Sequence, residues 1–315
     1  MANILTTGGY GFIGTAVAQA LVNAGHEVHV LDKYDVPIQN CKHFHGSVLD
    51  QAAILEAMDG CDYVIHMAAV LGVSNSTLNA LECLDVNILG TRNVLECAVK
   101  SKVKKLLFAS SSEVYGEPKV LPIPETAVLA PVSEYGVSKV VGEEFCKAYS
   151  QRFGLPYSIV RLFNVYGERQ RDDFVMSVFI NAAVRGMPLN INGDGSQRRA
   201  FGHVDDAAEG ILKVLFSDKT TNDVFNIGNP TQAISIKELA LKIVHAAGQP
   251  ESLIRQTPIG TEDRLPERDI KERLPDIRKA RETIGFEPRI TLDEGIARII
   301  AAKRKQLSAT APAQG

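Results

Sequence analysis

The sequence contains no apolar run approaching the roughly 20 residues that a membrane-spanning helix requires, so a helical membrane protein is excluded at the outset. Its five cysteines, Cys41, Cys61, Cys83, Cys97 and Cys146, include no C-x-x-C pair, and its seven histidines form no H-E-x-x-H. Scattered thiols of this kind fit reduced, buried side chains; neither a disulfide framework nor a metal site is implied. Charge of one sign is lacking too: 34 Lys plus Arg oppose 37 Asp plus Glu, a formal net charge of −3, and no long basic run interrupts the mixture. That balance offers no footprint for a nucleic-acid backbone. The N-terminus enters a glycine-rich motif with no basic leader, so the expected location is cytoplasmic. With 45% hydrophobic and 23% charged residues over 315 positions, the composition is that of a soluble globular chain with one large or two coupled domains.

Apolar periodicity alternates along the first half. Ala2 to Thr7 is a short apolar run that stops at Gly8 and Gly9, and from Phe12 to Ala24 apolar residues recur at helical spacing until Gly25. Glu27 to Leu31, Asp62 to Met67, Lys105 to Ala109 and Tyr157 to Phe163 read as strands buried on both faces. Helical patterns lie between them, at Leu81 to Lys100 and Glu134 to Phe153. Strand and helix in alternation predict an α/β fold with a doubly wound parallel sheet over residues 1–166. After Gly167 the regularity fades, and a smaller region is expected over 167–200 and 236–305, with helices at Val175 to Arg185, Ile236 to Gly248 and Leu292 to Gln306. The run Asp223 to Ile227 is expected to return to the sheet, so that about 201–235 rejoins the first domain. The small-residue tail 306–315 is expected to be disordered.

Gly8, Gly11 and Gly14 form G-x-x-G-x-x-G between the first strand and the first helix. Gly8 permits the turn, Gly11 lets backbone approach a pyrophosphate, and Gly14 lets the helix pack closely, so the helix N-terminus faces the anion. Asp32 ends the second strand, 18 residues after Gly14, where a carboxylate accepts hydrogen bonds from an adenosine ribose. The same charge repels a 2′-phosphate, which favours NAD over NADP.

Tyr135 and Lys139 are one helical turn apart in YGVSK. An ammonium and an oxidised nicotinamide beside the phenol would lower its pKa from about 10 toward working pH and make Tyr135 a general base. The stretch ASSSEVYG directly follows a strand, at the edge where open α/β sheets bind ligands, and Ser111 is the candidate partner of the reacting oxygen.

Together TGGYGFIG, Asp32, HMAA at His66 to Ala69, NILGT at Asn87 to Thr91, SSSEVYG, YGVSK, RLFNVYG and GDGSQRRAF resemble, in the same order, the extended short-chain dehydrogenases of the nucleotide-sugar epimerase and dehydratase family. The resemblance covers nearly the whole chain. It implies a Rossmann domain with a C-terminal substrate-binding region, NAD reduced and reoxidised within one turnover, a 4-keto sugar intermediate and a nucleoside diphosphate sugar as substrate. Cofactor contacts then fall on Gly8, Gly11, Phe12, Ile13, Gly14, Asp32, Ala68, Ala69, Tyr135 and Lys139. Catalytic roles fall on Ser111, Tyr135, Lys139 and Glu113, and substrate contacts on Ser111, Ser112, Asn164, Arg199 and either Arg264 or Arg268, with Arg268 preferred. Two departures stand out: Ser47 replaces an aspartate that contacts adenine in many relatives, and Glu168 replaces a proline common after VYG. The resemblance further implies a homodimer through the helices at 81–100 and 134–153.

The reaction that follows the ketone divides the family. A 4,6-dehydratase carries an Asp-Glu pair where this chain has Ser112 and Glu113, and serine is a poor acid for a leaving hydroxide. A UDP-glucuronate decarboxylase resembles the Ser111-Ser112-Glu113 triplet more closely, but YGVSK departs from that group's pattern. The expectation is a 4-epimerase acting on a UDP-hexose. Dehydratase and decarboxylase are the alternatives within the class, and a non-catalytic nucleotide-binding scaffold is the alternative outside it.

Overall fold

A computed structural model describes residues 1–35, 38–71, 80–258 and 270–310. The chain opens with β1 (Asn3–Thr7), α1 (Phe12–Asn23), β2 (Glu27–Asp32), β3 (Cys41–His45), α2 (Gln51–Met58) and β4 (Tyr63–His66). A long helical segment follows: α3 (Ala80–Leu84), a π-turn at Asp85–Leu89 and α4 (Gly90–Lys100). Then come β5 (Lys105–Ser111), a 3-10 turn at Ser112–Tyr115, α5 (Glu134–Phe153), β6 (Tyr157–Leu162) and β7 (Val165–Tyr166). The second half comprises α6 (Val175–Val184), β8 (Leu189–Asn192), β9 (Arg198–Ala200), β10 (Gly202–His203), α7 (Val204–Phe216), β11 (Asp223–Ile227), β12 (Ala233–Ser235) and α8 (Ile236–Ala246). It closes with β13 (Ile254–Thr257), β14 (Glu272–Arg273), α9 (Arg278–Ile284) and α10 (Leu292–Thr310).

Seven strands form one sheet in the order β11-β6-β5-β4-β1-β2-β3, every pair parallel. Strand order reverses between β1 and β4, and that is where an open α/β sheet leaves a crevice at its carboxyl edge. Side chains alternate across the sheet, so neighbouring residues of β1 enter different cores. Ile4 packs with Val17 and Leu21 of α1 and Ile211 of α7. Leu5 packs with Ile54 of α2, Leu95 of α4 and Phe108 of β5. Each such side chain contributes about 1.5–3 kcal/mol on burial, which fixes the register that lines up the strand ends. A third core, built around Phe179, Leu239, Ile243 and Ile296, holds α6, α8 and α10 together.

The expected returning strand is β11, paired with β6 from Asp223 opposite Ser158 to Ile227 opposite Leu162. The expectations from sequence include no helix at α2, α7 or α9 and no strand at β7 to β10 or β12 to β14, and three further features differ from them. The edge strand β3 was not expected: its sequence CKHFH is polar and half exposed. The helix expected over Leu81 to Lys100 carries the π-turn in its middle. The last helix continues beyond Gln306 to Thr310, where a disordered tail was expected from 306.

Candidate active site

The turn after β1 brings three backbone features together. Gly8 has φ 71°, and a Cβ there would press into the backbone of Ala68 at 2.7 Å. A Cβ on Gly14 would overlap the Gly8 carbonyl, so α1 approaches the turn only through a glycine. Gly11 caps α1 without a side-chain acceptor and the first turn holds no acidic residue, so its amides remain the positive end of the helix dipole. Phe12 and Ile13 begin that turn, and Ala68 and Ala69 follow β4, the Ala68 amide donating to Thr7 Oγ1 at 3.3 Å. Asp32 ends β2 with its carboxylate fixed by two amides, Tyr10 N to Oδ2 at 3.0 Å and Tyr34 N to Oδ1 at 3.2 Å. A glycine cradle, a free helix N-terminus and an anchored acid one strand away match the groups that a dinucleotide presents, so the residues fit an NAD-type cofactor.

On the other side of the switch point, Ser111, Tyr135 and Lys139 converge. Ser111 ends β5, its hydroxyl accepting from Glu113 N at 3.2 Å and hydrogen-bonding the Tyr135 phenol. Ser133 caps α5 by accepting from Gly136 N at 3.0 Å, which sets Tyr135 in the first turn. The Lys139 ammonium lies 5.5 Å from the Tyr135 ring centre and 4.9 Å from that of Phe108, and donates to Ala109 O at 2.8 Å. Burial pushes Lys139 down to about 8. Burial also pushes the Tyr135 phenol well above its ordinary value, and the charges of Glu113 and Cys83 add to this. The expected lowering of the phenol calls on an oxidised nicotinamide beside it as well as on Lys139.

The floor under this site is a buried ion pair. Arg161 of β6 donates to Glu143 of α5 through Nε at 2.9 Å and Nη2 at 2.6 Å, and Ser110 Oγ donates to the same carboxylate at 2.6 Å. Arg161 Nη1 donates to Tyr115 OH at 2.8 Å, which donates to Asn226 Oδ1 at 2.7 Å. The strand exit bearing Ser111 is thus tied to the helix bearing Tyr135 and Lys139.

Glu113 faces the cleft with its carboxylate already engaged: Ser133 Oγ donates to Oε2 at 2.7 Å, and Arg273 Nη1 lies 3.6 Å from Oε1. Ser112 beside it is buried. Arg273 was missed in the sequence. It reaches the site from β14, which pairs with β9, and its buried Nε has no hydrogen-bond partner among the described residues. Arg199, expected at a phosphate, points its guanidinium at backbone, Nη2 donating to Ile270 O at 2.6 Å and Nη1 to Lys271 O at 3.2 Å. Asn164 has φ 37° between β6 and β7, its amide directed at Ala200 O at 3.4 Å. Arg264 and Arg268 lie outside the described residues. Among the described residues no helix is long and apolar enough to cross a membrane.

The profile of the NAD dependent epimerase/dehydratase family matches residues 4–228. The chain belongs to that family. A Methanocaldococcus jannaschii protein provisionally named UDP-glucose 4-epimerase is 37% identical, covering 94% of this chain and 97% of that one. A Bacillus cytotoxicus UDP-N-acetyl-alpha-D-glucosaminuronate decarboxylase is 35% identical over 94% and 96%. The crystal structure of UDP-glucose 4-epimerase from Thermotoga maritima with UDP-glucose has a TM-score of 0.89 and 31% identity, covering 97% of this chain and 99% of that one. Members of this NAD-dependent family with different reactions are therefore about equally similar to it, and the chain is an enzyme of the nucleotide-sugar epimerase, dehydratase and decarboxylase group.

Proposed function

We propose that the protein is an NAD-dependent 4-epimerase of a UDP-hexose. The observation that carries the reading is the meeting of Ser111, Tyr135 and Lys139 at the carboxyl edge of β5, across the switch point from the glycine cradle and Asp32. When bound, an oxidised nicotinamide supplies the acceptor for the sugar's C4 hydrogen and a positive charge beside Tyr135. Ser111 holds the C4 hydroxyl, and the Tyr135 phenolate takes its proton; Lys139 stabilises the phenolate through space. Once the 4-keto sugar has turned in the site, Tyr135 would return the proton to oxygen while the hydride taken up from C4 goes back to its other face and re-forms the C4–H bond. Glu113 has no task in this scheme beyond its bond to Ser133, which fits its occupied carboxylate.

One observation favours a second reading, decarboxylation of a UDP-hexuronate. The Arg273 guanidinium, with its Nε unpaired among the described residues and Glu113 close by, suits a carboxylate on the sugar. Incubation with UDP-glucose, UDP-N-acetylglucosamine and UDP-glucuronate, followed by mass spectrometry and NMR, separates the two. Unchanged mass with inverted C4 is the expected result, whereas loss of carbon dioxide or water assigns a lyase. Glu113→Gln should leave most epimerisation intact and abolish elimination.

The same reading places the enzyme in the cytoplasm as a homodimer. Leu81 and Leu89 on the π-turn helix and Val137 and Phe153 on α5 are exposed apolar side chains on the two helices expected to pair. Sedimentation showing only a monomer would overturn that assignment.

A further inference from the structure

The edge strand β3 carries its histidines on the face it shares with the end of β2. Residues opposite each other in the two strands point the same way: Val28 with Cys41, Val30 with His43 and Asp32 with His45. Val28, Val30 and Cys41 pack on the core beneath α1, and Tyr10, in the glycine turn, packs against the same core. His43 meets Tyr10 over that face. The two rings stack with their centres 5.6 Å apart and their planes 20° from parallel, and the phenol hydrogen-bonds His43 Nδ1.

The direction of that bond follows from its far end. His43 Nε2 lies 3.1 Å from Ile38 O, which can only accept, so the neutral ring carries its proton on Nε2 and Nδ1 accepts from Tyr10. Burial, with the charges of Asp35 and Asp32 adding to it, raises the Tyr10 phenol above its ordinary value, so the hydroxyl keeps the proton it donates. The Tyr10 amide meanwhile donates to Asp32 Oδ2 at 3.0 Å. One residue thus anchors with its backbone the acid suited to an adenosine ribose, and turns its side chain toward β3. Next to Asp32 stand two stacked rings whose hydroxyl and N–H groups are both engaged within the protein.

We propose that His43 sets the choice of NAD over NADP by holding the Tyr10 hydroxyl away from the ribose 2′ position. A 2′-hydroxyl needs an acceptor, and Asp32 provides it. A 2′-phosphate needs donors and is repelled by the carboxylate, and the Tyr10 hydroxyl on the adjoining turn is committed to β3. His43 acts through Tyr10 and is a positioning residue. The assignment is separate from the sugar reaction, because cofactor binding is measured with no sugar present.

Cofactor-free protein is titrated calorimetrically with NAD and with NADP at mildly alkaline pH, where histidine side chains are ordinarily neutral. The variants are His43→Ala, His43→Gln, Tyr10→Phe and the double variant Tyr10→Phe/His43→Ala. Loss of His43 frees the phenol to donate to a phosphate, and a hydrogen bond to a charged group is worth about tenfold or more, so His43→Ala should tighten NADP about 10-fold with NAD within about threefold. Tyr10→Phe alone should leave the ratio of the two affinities within about twofold of wild type, and the double variant should lose the gain, because both changes act on one contact. His43→Gln restores an acceptor for the phenol and should keep the wild-type ratio. An unchanged ratio in His43→Ala would overturn the proposal. So would a gain that survives in the double variant, since space rather than the hydroxyl would then discriminate, or a gain in His43→Gln as large as in His43→Ala. Adenosine 2′,5′-bisphosphate and AMP form a second pair of probes. The same gain should appear between them, and a gain confined to the whole dinucleotides rejects a role at the ribose.

Discussion

Lys139 lives in an environment that disfavours its charge, with burial holding the ammonium down to about 8. Replacing it by Met fills similar space without a buried cation. Lys139→Met should therefore raise the unfolding free energy of the cofactor-free protein, by about 1–3 kcal/mol in urea titrations, while turnover falls at least about 100-fold. A stability loss would contradict the account of Lys139 as strained for function. Residues of this site were legible where local spacing carries the chemistry, as at Ser111, Tyr135 and Lys139. Arg273 was not legible, because it arrives through the pairing of β14 with β9, and nothing in the local sequence ERLPD marks that contact. Arg199 was legible as a cation but not as a group bound to the carbonyls of Ile270 and Lys271, since backbone acceptors leave no trace in sequence.

At the level of elements, α5 sits against β5 through a glycine. A Cβ on Gly142 would overlap the Phe108 ring, the same ring that the Lys139 ammonium approaches. Gly142→Ala should cost about 1–3 kcal/mol of stability by overpacking and should lower kcat more than it raises KM, because the displaced helix carries the base. Thermal melts and steady-state kinetics on one preparation check both. The buried strands and helices such as α1, α4 and α5 were readable because their periods of 2 and 3.6 are imposed by burial on known faces, whereas α2 and α7 escaped although each buries one face. The edge strand β3 escaped because half of it is solvated, and the π-turn escaped because its apolar period differs from its neighbours by one residue.

For the molecule as a whole, His66 couples acidity to stability. Burial, with the Lys139 charge adding to it, pushes the imidazole down to about 3. Between that value and about 6.5, the ordinary histidine value, the unfolded chain binds a proton that the native protein refuses. The stabilisation is thus fully present above about pH 6.5 and is lost as pH falls toward about 3, by an amount on the order of 5 kcal/mol. His66→Gln, which cannot titrate, should show a shallower decline of urea midpoint from pH 7 to 4 than the wild type. A parallel decline would mean that other groups carry the acid sensitivity.

The placement of β11 has a consequence for biosynthesis. Its neighbour in the sheet, β6, ends at Leu162, yet the strand that covers it begins only at Asp223, after α6, β8, β9, β10 and α7 have been made. A ribosome delivers residues in order, so β6 emerges with an uncapped flank and must wait for some sixty further peptide bonds before its partner exists. Translation speed across that interval, rather than anything in the finished enzyme, sets how long the nascent sheet stays open to wrong partners.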